Sequence, residues 1–152
     1  MELKKPYDDI NDTLRHIRLQ IEDSRNFARK FVPDFKSPET LFFWLKPYTS
    51  YKLDPNGVEL LQSFPTLILN NFYGISGAGD CDCLTIAQTA ACMVQNWPNA
   101  KLWIKLAGRN KLYPGHIYGG VDFKGREVAL DLTNKLPNYE RYYPHIQKLY
   151  IK

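Results

Sequence analysis

Eleven consecutive residues, Leu84 to Val94, carry no charge and are mostly Ala, Leu, Ile, Met, Val and Thr. A helix over Cys83 to Asn96 is then apolar on almost every side. Such a helix has to be covered all round, so the rest of the chain must wrap it. Trp97-Pro98-Asn99 ends it. A chain of 152 residues is long enough for one domain with a real core.

The flanking patterns supply the covering layers. Before the central helix, Asp8 to Phe31 reads as an amphipathic helix. Ile10, Leu14, Ile17, Ile21, Ala28 and Phe31 fall at three- and four-residue steps. Asp8 or Asp9 caps its start, and Val32-Pro33 ends it. Ser37-Pro38 is a second start signal, with Ser at N-cap and Pro at the first helical position. It opens a short apolar helix that stops before Pro47. Residues 47–57 read as a loop. Val58 to Phe72 has helical apolar spacing broken at Pro65, which predicts two short helices or a kinked one.

After the central helix the period changes to two. Leu102, Ile104 and Leu106 alternate with Lys101, Trp103 and Lys105. His116–Phe123 and Arg126–Thr133 predict a hairpin turning on Lys124-Gly125. A last apolar segment is Leu149-Tyr150-Ile151. Helices first and antiparallel strands last give an α+β class. The expectation is one domain over residues 1–152, with a helical N-terminal part (1–73) and a motif-bearing core (74–134).

Composition narrows the function classes. The net charge of +4 comes from scattered Lys and Arg, with a mild cluster at Lys101–Lys111. A nucleic-acid binder carries a denser basic stripe, so none is expected as a partner. No run reaches the length of a transmembrane helix. No apolar segment follows Lys4-Lys5 as in a signal peptide. Three cysteines, two of them one residue apart, do not form a secreted disulfide pattern. The expectation is a cytoplasmic chain from a reducing compartment, without a membrane partner.

The chemistry-bearing residues sit at the joints of this plan. Gly79-Asp80-Cys81-Asp82-Cys83 opens the central helix. A thiol at a helix start lies among unpaired N–H groups, and the helix dipole favours its thiolate. His116 begins one hairpin strand and Asp131 lies in the other. If the hairpin turns on two residues, His116 faces Thr133 and Tyr118 faces Asp131. His116 and Asp131 are then diagonal neighbours on one face, about 7–8 Å apart before side-chain reach is counted. Cys, His and Asp in this order suit nucleophilic acyl chemistry. Cys81 is the candidate nucleophile, His116 the general base and acid, and Asp131 the residue that orients the imidazole. The Cys81 backbone N–H is a candidate oxyanion donor, and Asn70, Asn71 and Tyr73 are candidates for a second.

Other residues have structural readings. Cys83 and Cys92 are expected in the core, Asp82 as a helix cap and Asp80 in the turn. His16 and His145 are expected in surface or packing roles. Lys105, Arg109 and Lys111 are read as solvated loop residues, and Trp103 as core or as shelter for the histidine. Cys81, Cys83, Cys92 and His116 match no structural zinc spacing, so no metal and no cofactor is expected.

These motifs resemble the transglutaminase-like branch of the papain-like cysteine enzymes. The resemblance rests on Gly79-Asp80-Cys81-Asp82-Cys83, His116-Ile117-Tyr118 and Leu130-Asp131-Leu132-Thr133, within residues 74–134. Order and spacing agree, with 35 residues from Cys to His and 15 from His to Asp. Cys83 stands where the branch has a second acidic residue, and the first 70 residues match no pattern of the branch. The resemblance implies a papain-like α+β fold, with the cysteine helix packed on a C-terminal antiparallel sheet. It also implies thiol-mediated hydrolysis of a peptide or related amide, with a peptide or protein as substrate. A bacterial or phage-type setting follows, in the cytoplasm of the bacterium or infected host, or in a virion. The alternative is a non-catalytic assembly protein on the same fold, docking a partner through its N-terminal helices.

Overall fold

The structure, a computed structural model, describes residues 2–6, 10–56, 58–70, 73–110 and 114–151. In chain order its elements are β1 (Glu2–Pro6), α1 (Ile10–Phe31), α2 (Pro38–Leu45), a 3-10 turn (Lys46–Tyr48), β2 (Ser50–Tyr51) and β3 (Val58–Gln62). Then come α3 (Phe64–Leu69), β4 (Ala78–Gly79), α4 (Cys81–Met93), β5 (Lys101–Gly108), β6 (Pro114–Phe123), β7 (Arg126–Ala129) and β8 (His145–Ile151). It is a mixed α+β fold. The strands after α4 form one antiparallel sheet in the order β7-β6-β5-β8.

α4 is the centre of the molecule. Every residue from Asp82 to Cys92 is buried, as its lack of a polar face requires. Helices α1, α2 and α3 cover it on one side and strands β5 and β6 on the other. One part of the core joins Leu84, Ala87 and Ala91 of α4 to Leu41, Phe42, Phe64 and Val121. A second joins Ile86 to Ile17 and Ile21 of α1 and to Ile104, Leu106 and Ile117 of the sheet. The helix starts two residues earlier than its apolar pattern indicates, because Asp80 is the N-cap and its carboxylate faces the Cys83 N–H. Asp82 lies in the first turn and its carboxylate also accepts from the Cys83 N–H, at 3.1 Å.

The close approach of α4 to the sheet depends on Gly119 and Gly120 of β6. A Cβ on Gly119 would meet the Gln88 amide oxygen at 2.1 Å. A Cβ on Gly120 would meet the Trp103 ring at 2.3 Å and the Val128 carbonyl oxygen at 2.4 Å. The hairpin that follows has the register set by a two-residue turn, with Phe123 paired to Arg126 and Gly120 to Ala129. Lys124 and Gly125 both have positive φ, 51° and 77°, as a type I′ turn needs. Strand pairing stops at Ala129, and a last bond runs from Leu130 N–H to Gly119 O at 2.9 Å. Asp131 therefore sits just past the strand end, in a turn.

Several N-terminal assignments are corrected. Val58–Gln62 is a strand, paired antiparallel with Glu2–Pro6, so residues 1–73 are not all helical. Its apolar run is too short for a helix, and Pro65 starts α3 in its first turn rather than kinking a longer one. The loop at 47–57 contains β2, which pairs in parallel with β4 directly before Cys81. Lys105 is neither solvated nor in a loop: it lies 7% exposed on β5. Its ammonium is bonded to Glu127, and to Glu140 at 2.7 Å, over the Trp103 ring. The proposed caps Asp8 and Asp9, as well as Lys111, lie outside the described residues.

Candidate active site

Cys81 is the first residue of α4 and is half-buried. Three features fix it. Asp80 caps the helix, as above. β4, two residues upstream, is paired to β2, with Lys52 N–H donating to Gly79 O at 2.7 Å. The Thr85 hydroxyl, one turn on, lies 2.6 Å from the Cys81 carbonyl and 3.2 Å from the Ile117 carbonyl of β6. The first turn of the cysteine helix is thus fastened to the strand residue that follows His116.

His116 and Asp131 meet. His116 Nε2 lies 2.6 Å from Asp131 Oδ2. Asp131 is buried, which by itself would raise its pKa. Hydrogen bonds from His116 and Thr133 outweigh this and hold it below the usual carboxylate range. An ionised carboxylate only accepts, so Nε2 carries the proton and donates it. That leaves Nδ1 as the other ring nitrogen. Thr133 donates to Asp131 Oδ1 through its N–H at 3.0 Å and its hydroxyl at 2.7 Å. The Asn134 amide faces Oδ2 at 3.3 Å. Lys46, from the 3-10 turn, donates to the Leu132 carbonyl of the same turn. Burial lowers the Lys46 pKa, against the attraction of Asp131.

The imidazole is oriented by aromatic packing as well. His116 stacks on Tyr118 at 5.4 Å and on Tyr143 at 5.8 Å between centroids. Trp103, fully buried in the core, packs edge-on against Tyr118. Burial and the Glu140 carboxylate raise the Tyr118 pKa, keeping its hydroxyl a donor.

Cys81 and His116 line one cavity of about 170 Å³, together with Asp80, Tyr51, Pro114 and Ile117. Tyr51 escaped the sequence reading. It lies in a segment with loop composition, and only the long-range β2–β4 pairing brings it beside Cys81. Burial comes first in raising the Tyr51 pKa, followed by the negative charge that Cys81 and Asp80 can carry. Its phenol stays protonated and able to donate.

The other sequence candidates lie elsewhere. Asn70 and Tyr73 do not line this cavity. The Asn70 amide donates to Ala78 O and its oxygen accepts from Tyr73 N–H. The Tyr73 phenol faces Leu53 O and Asp54. Both brace the approach to Cys81. Asn71 lies outside the described residues. Cys83 donates to the Leu60 carbonyl at 3.1 Å, and burial pushes its thiol well up. Burial likewise pushes Cys92 up to about 12. Neither is a nucleophile at neutral pH. Asp80, Asp82 and Cys83 bring ligand-type atoms within 4.8 Å of one another. Both carboxylates face the Cys83 N–H and the Cys83 thiol is protonated, which is the arrangement of a helix cap. His16 faces Asp12 at 3.5 Å on the outer side of α1, and His145 begins β8.

Among the described residues, no helix is long and apolar enough to cross a membrane. Compared with known proteins, the chain matches no protein-family model, no curated protein and no solved structure.

Proposed function

We propose that this chain is a cysteine-dependent hydrolase of a peptide or related amide bond, on a papain-like fold of the transglutaminase-like type. The observation that carries the proposal is the 2.6 Å contact between His116 and Asp131, on a histidine that lines one cavity with Cys81 at the start of a buried helix.

The chemistry follows from the groups present. The Cys81 thiol passes its proton to His116 Nδ1, and the imidazolium is stabilised by ionised Asp131 across Nε2. The thiolate attacks the carbonyl carbon, a C–S bond forms, and the π electrons move to oxygen. The Cys81 backbone N–H, at the helix start, and the Tyr51 phenol are the donors for that oxygen. When the oxyanion collapses, the C–N bond breaks and Nδ1 protonates the leaving amine. Water then loses a proton to Nδ1 and attacks the thioester. Collapse releases the acid and restores the thiol. Asp131 stays ionised throughout and acts by fixing the ring.

The test is cleavage of a mixed peptide pool read by mass spectrometry, with Cys81→Ser and His116→Ala beside the wild type. The proposal expects new carboxyl and amino termini with the wild type alone. No cleavage by any of the three, or equal cleavage by all, would contradict it and return the chain to the assembly-protein reading.

A further inference from the structure

A second cleft of about 840 Å³ shares His116, Gly115 and Tyr51 with the Cys81 cavity. Arg109 and Arg141 line it, with Tyr51, Tyr142, Tyr143 and His116. No carboxylate lines it among the described residues. The two guanidiniums come from separate segments, the end of β5 and the stretch before β8. The two segments are brought to one cleft by the pairing of β5 with β8, Gly108 opposite His145. Both side chains are exposed and neither takes part in an ion pair with a described residue. The Lys105 and Lys148 ammoniums, on the same sheet face as His116, are instead neutralised by Glu127, Glu140 and Asp122.

The charge across the site is therefore divided. Asp80 and Asp82 stand on the Cys81 side, and Arg109 and Arg141, without a carboxylate partner among the described residues, stand on the His116 side. His116 is the group that would protonate the leaving amine, so the leaving group lies on its side of the scissile bond. Arginine forks pair with carboxylates in a bidentate geometry, and tyrosines flank a peptide backbone at low entropic cost.

We propose that Arg109 and Arg141 hold a carboxylate on the leaving-amine side of the scissile amide, making the substrate an acidic peptide. This inference rests on the hydrolase assignment for the direction of the substrate. A carboxylate there has two sources, an Asp or Glu side chain and a peptide C-terminus.

The experiment compares four peptides of one sequence, with Glu or Gln after the scissile bond and a free or amidated C-terminus. Each is tested with wild type and with the Arg109→Gln/Arg141→Gln double variant. The expected result is a preference of about 10- to 100-fold in kcat/KM for the carboxylate form, the usual worth of a hydrogen bond to a charged group. That ratio falls towards one in the double variant, mainly through KM. Loss of the preference on Glu→Gln assigns the side chain, and loss on amidation assigns the C-terminus. Equal rates on all four peptides, or a preference that persists in the double variant, would overturn the proposal. Anisotropy of a fluorescein-labelled glutamate peptide and its glutamine counterpart reads the cleft without turnover. If Cys81 proves unreactive but the glutamate peptide binds more tightly and loses this in the double variant, the carboxylate cleft stands and the hydrolase assignment fails. If neither peptide is favoured and amidating the C-terminus weakens neither, the cleft proposal fails whatever Cys81 does.

Discussion

The His116 imidazole is bound to Asp131 through Nε2, at 2.6 Å, across the end of a hairpin whose pairing stops two residues before the carboxylate. A residue in the β7 ladder could not turn so freely towards its diagonal neighbour. By leaving the ladder, Asp131 also gains Thr133, which donates twice to its other oxygen.

Asp131→Asn keeps the size of the side chain and removes the charge. An amide can present N–H to the ring and reverse the tautomer. Turnover should fall by about 10⁴-fold, as when a triad carboxylate becomes an amide. Thermal unfolding at neutral pH should move far less than turnover. Activity and melting curves on the same preparation check this.

The same carboxylate gives acid sensitivity a definite sign. Its folded pKa is depressed, so the unfolded state binds a proton first, near pH 3.9, about the ordinary Asp value. The stabilisation is complete above that pH and is lost as pH falls through the lower folded value. The difference in unfolding free energy between wild type and Asp131→Asn should therefore shrink on going from pH 6 to pH 2.5 in urea titrations. A difference that does not change with pH would assign the contact no linkage.

Thr85→Val removes the hydroxyl that lies between the Cys81 and Ile117 carbonyls. The cost in stability should be about 1 kcal/mol, that of one net hydrogen bond. Cys81 alkylation should slow as well, because the helix start is no longer tied beside His116. Urea unfolding and alkylation rates measured together separate the two effects.

Gly120→Ala places a methyl group against the Trp103 ring and the Val128 carbonyl, both rigid. Overpacking of this kind should cost about 1–3 kcal/mol. The urea midpoint should fall with an unchanged slope.

Iodoacetamide on the native protein at neutral pH should label Cys81 alone. Cys83 and Cys92 are buried and their thiols are protonated. Intact-mass and peptide-mass spectra count and locate the label, and all three should react once the chain is unfolded in urea.

What was legible in the sequence was mainly local. The uncharged run Leu84–Val94 marks the buried helix, and Lys124-Gly125 fixes the hairpin register that brings His116 towards Asp131. Ser37-Pro38 marks the start of α2. The failures come from distant partners. Val58–Gln62 is a strand because it meets Glu2–Pro6, and nothing in five mixed residues signals this. Lys105 is buried because Glu127 and Glu140 reach it from 22 and 35 positions away. Tyr51 reaches the cavity through a parallel pairing with Ala78–Gly79, across 28 residues of chain.

The pH dependence of Cys81 alkylation, in wild type and in His116→Ala, tests the central claim most directly. The account predicts that wild-type Cys81 reacts well below the ordinary thiol pKa of about 8.5, and that removing His116 returns it towards that value. An unreactive Cys81, or an ordinary titration unchanged by the substitution, would contradict a working thiolate–imidazolium pair.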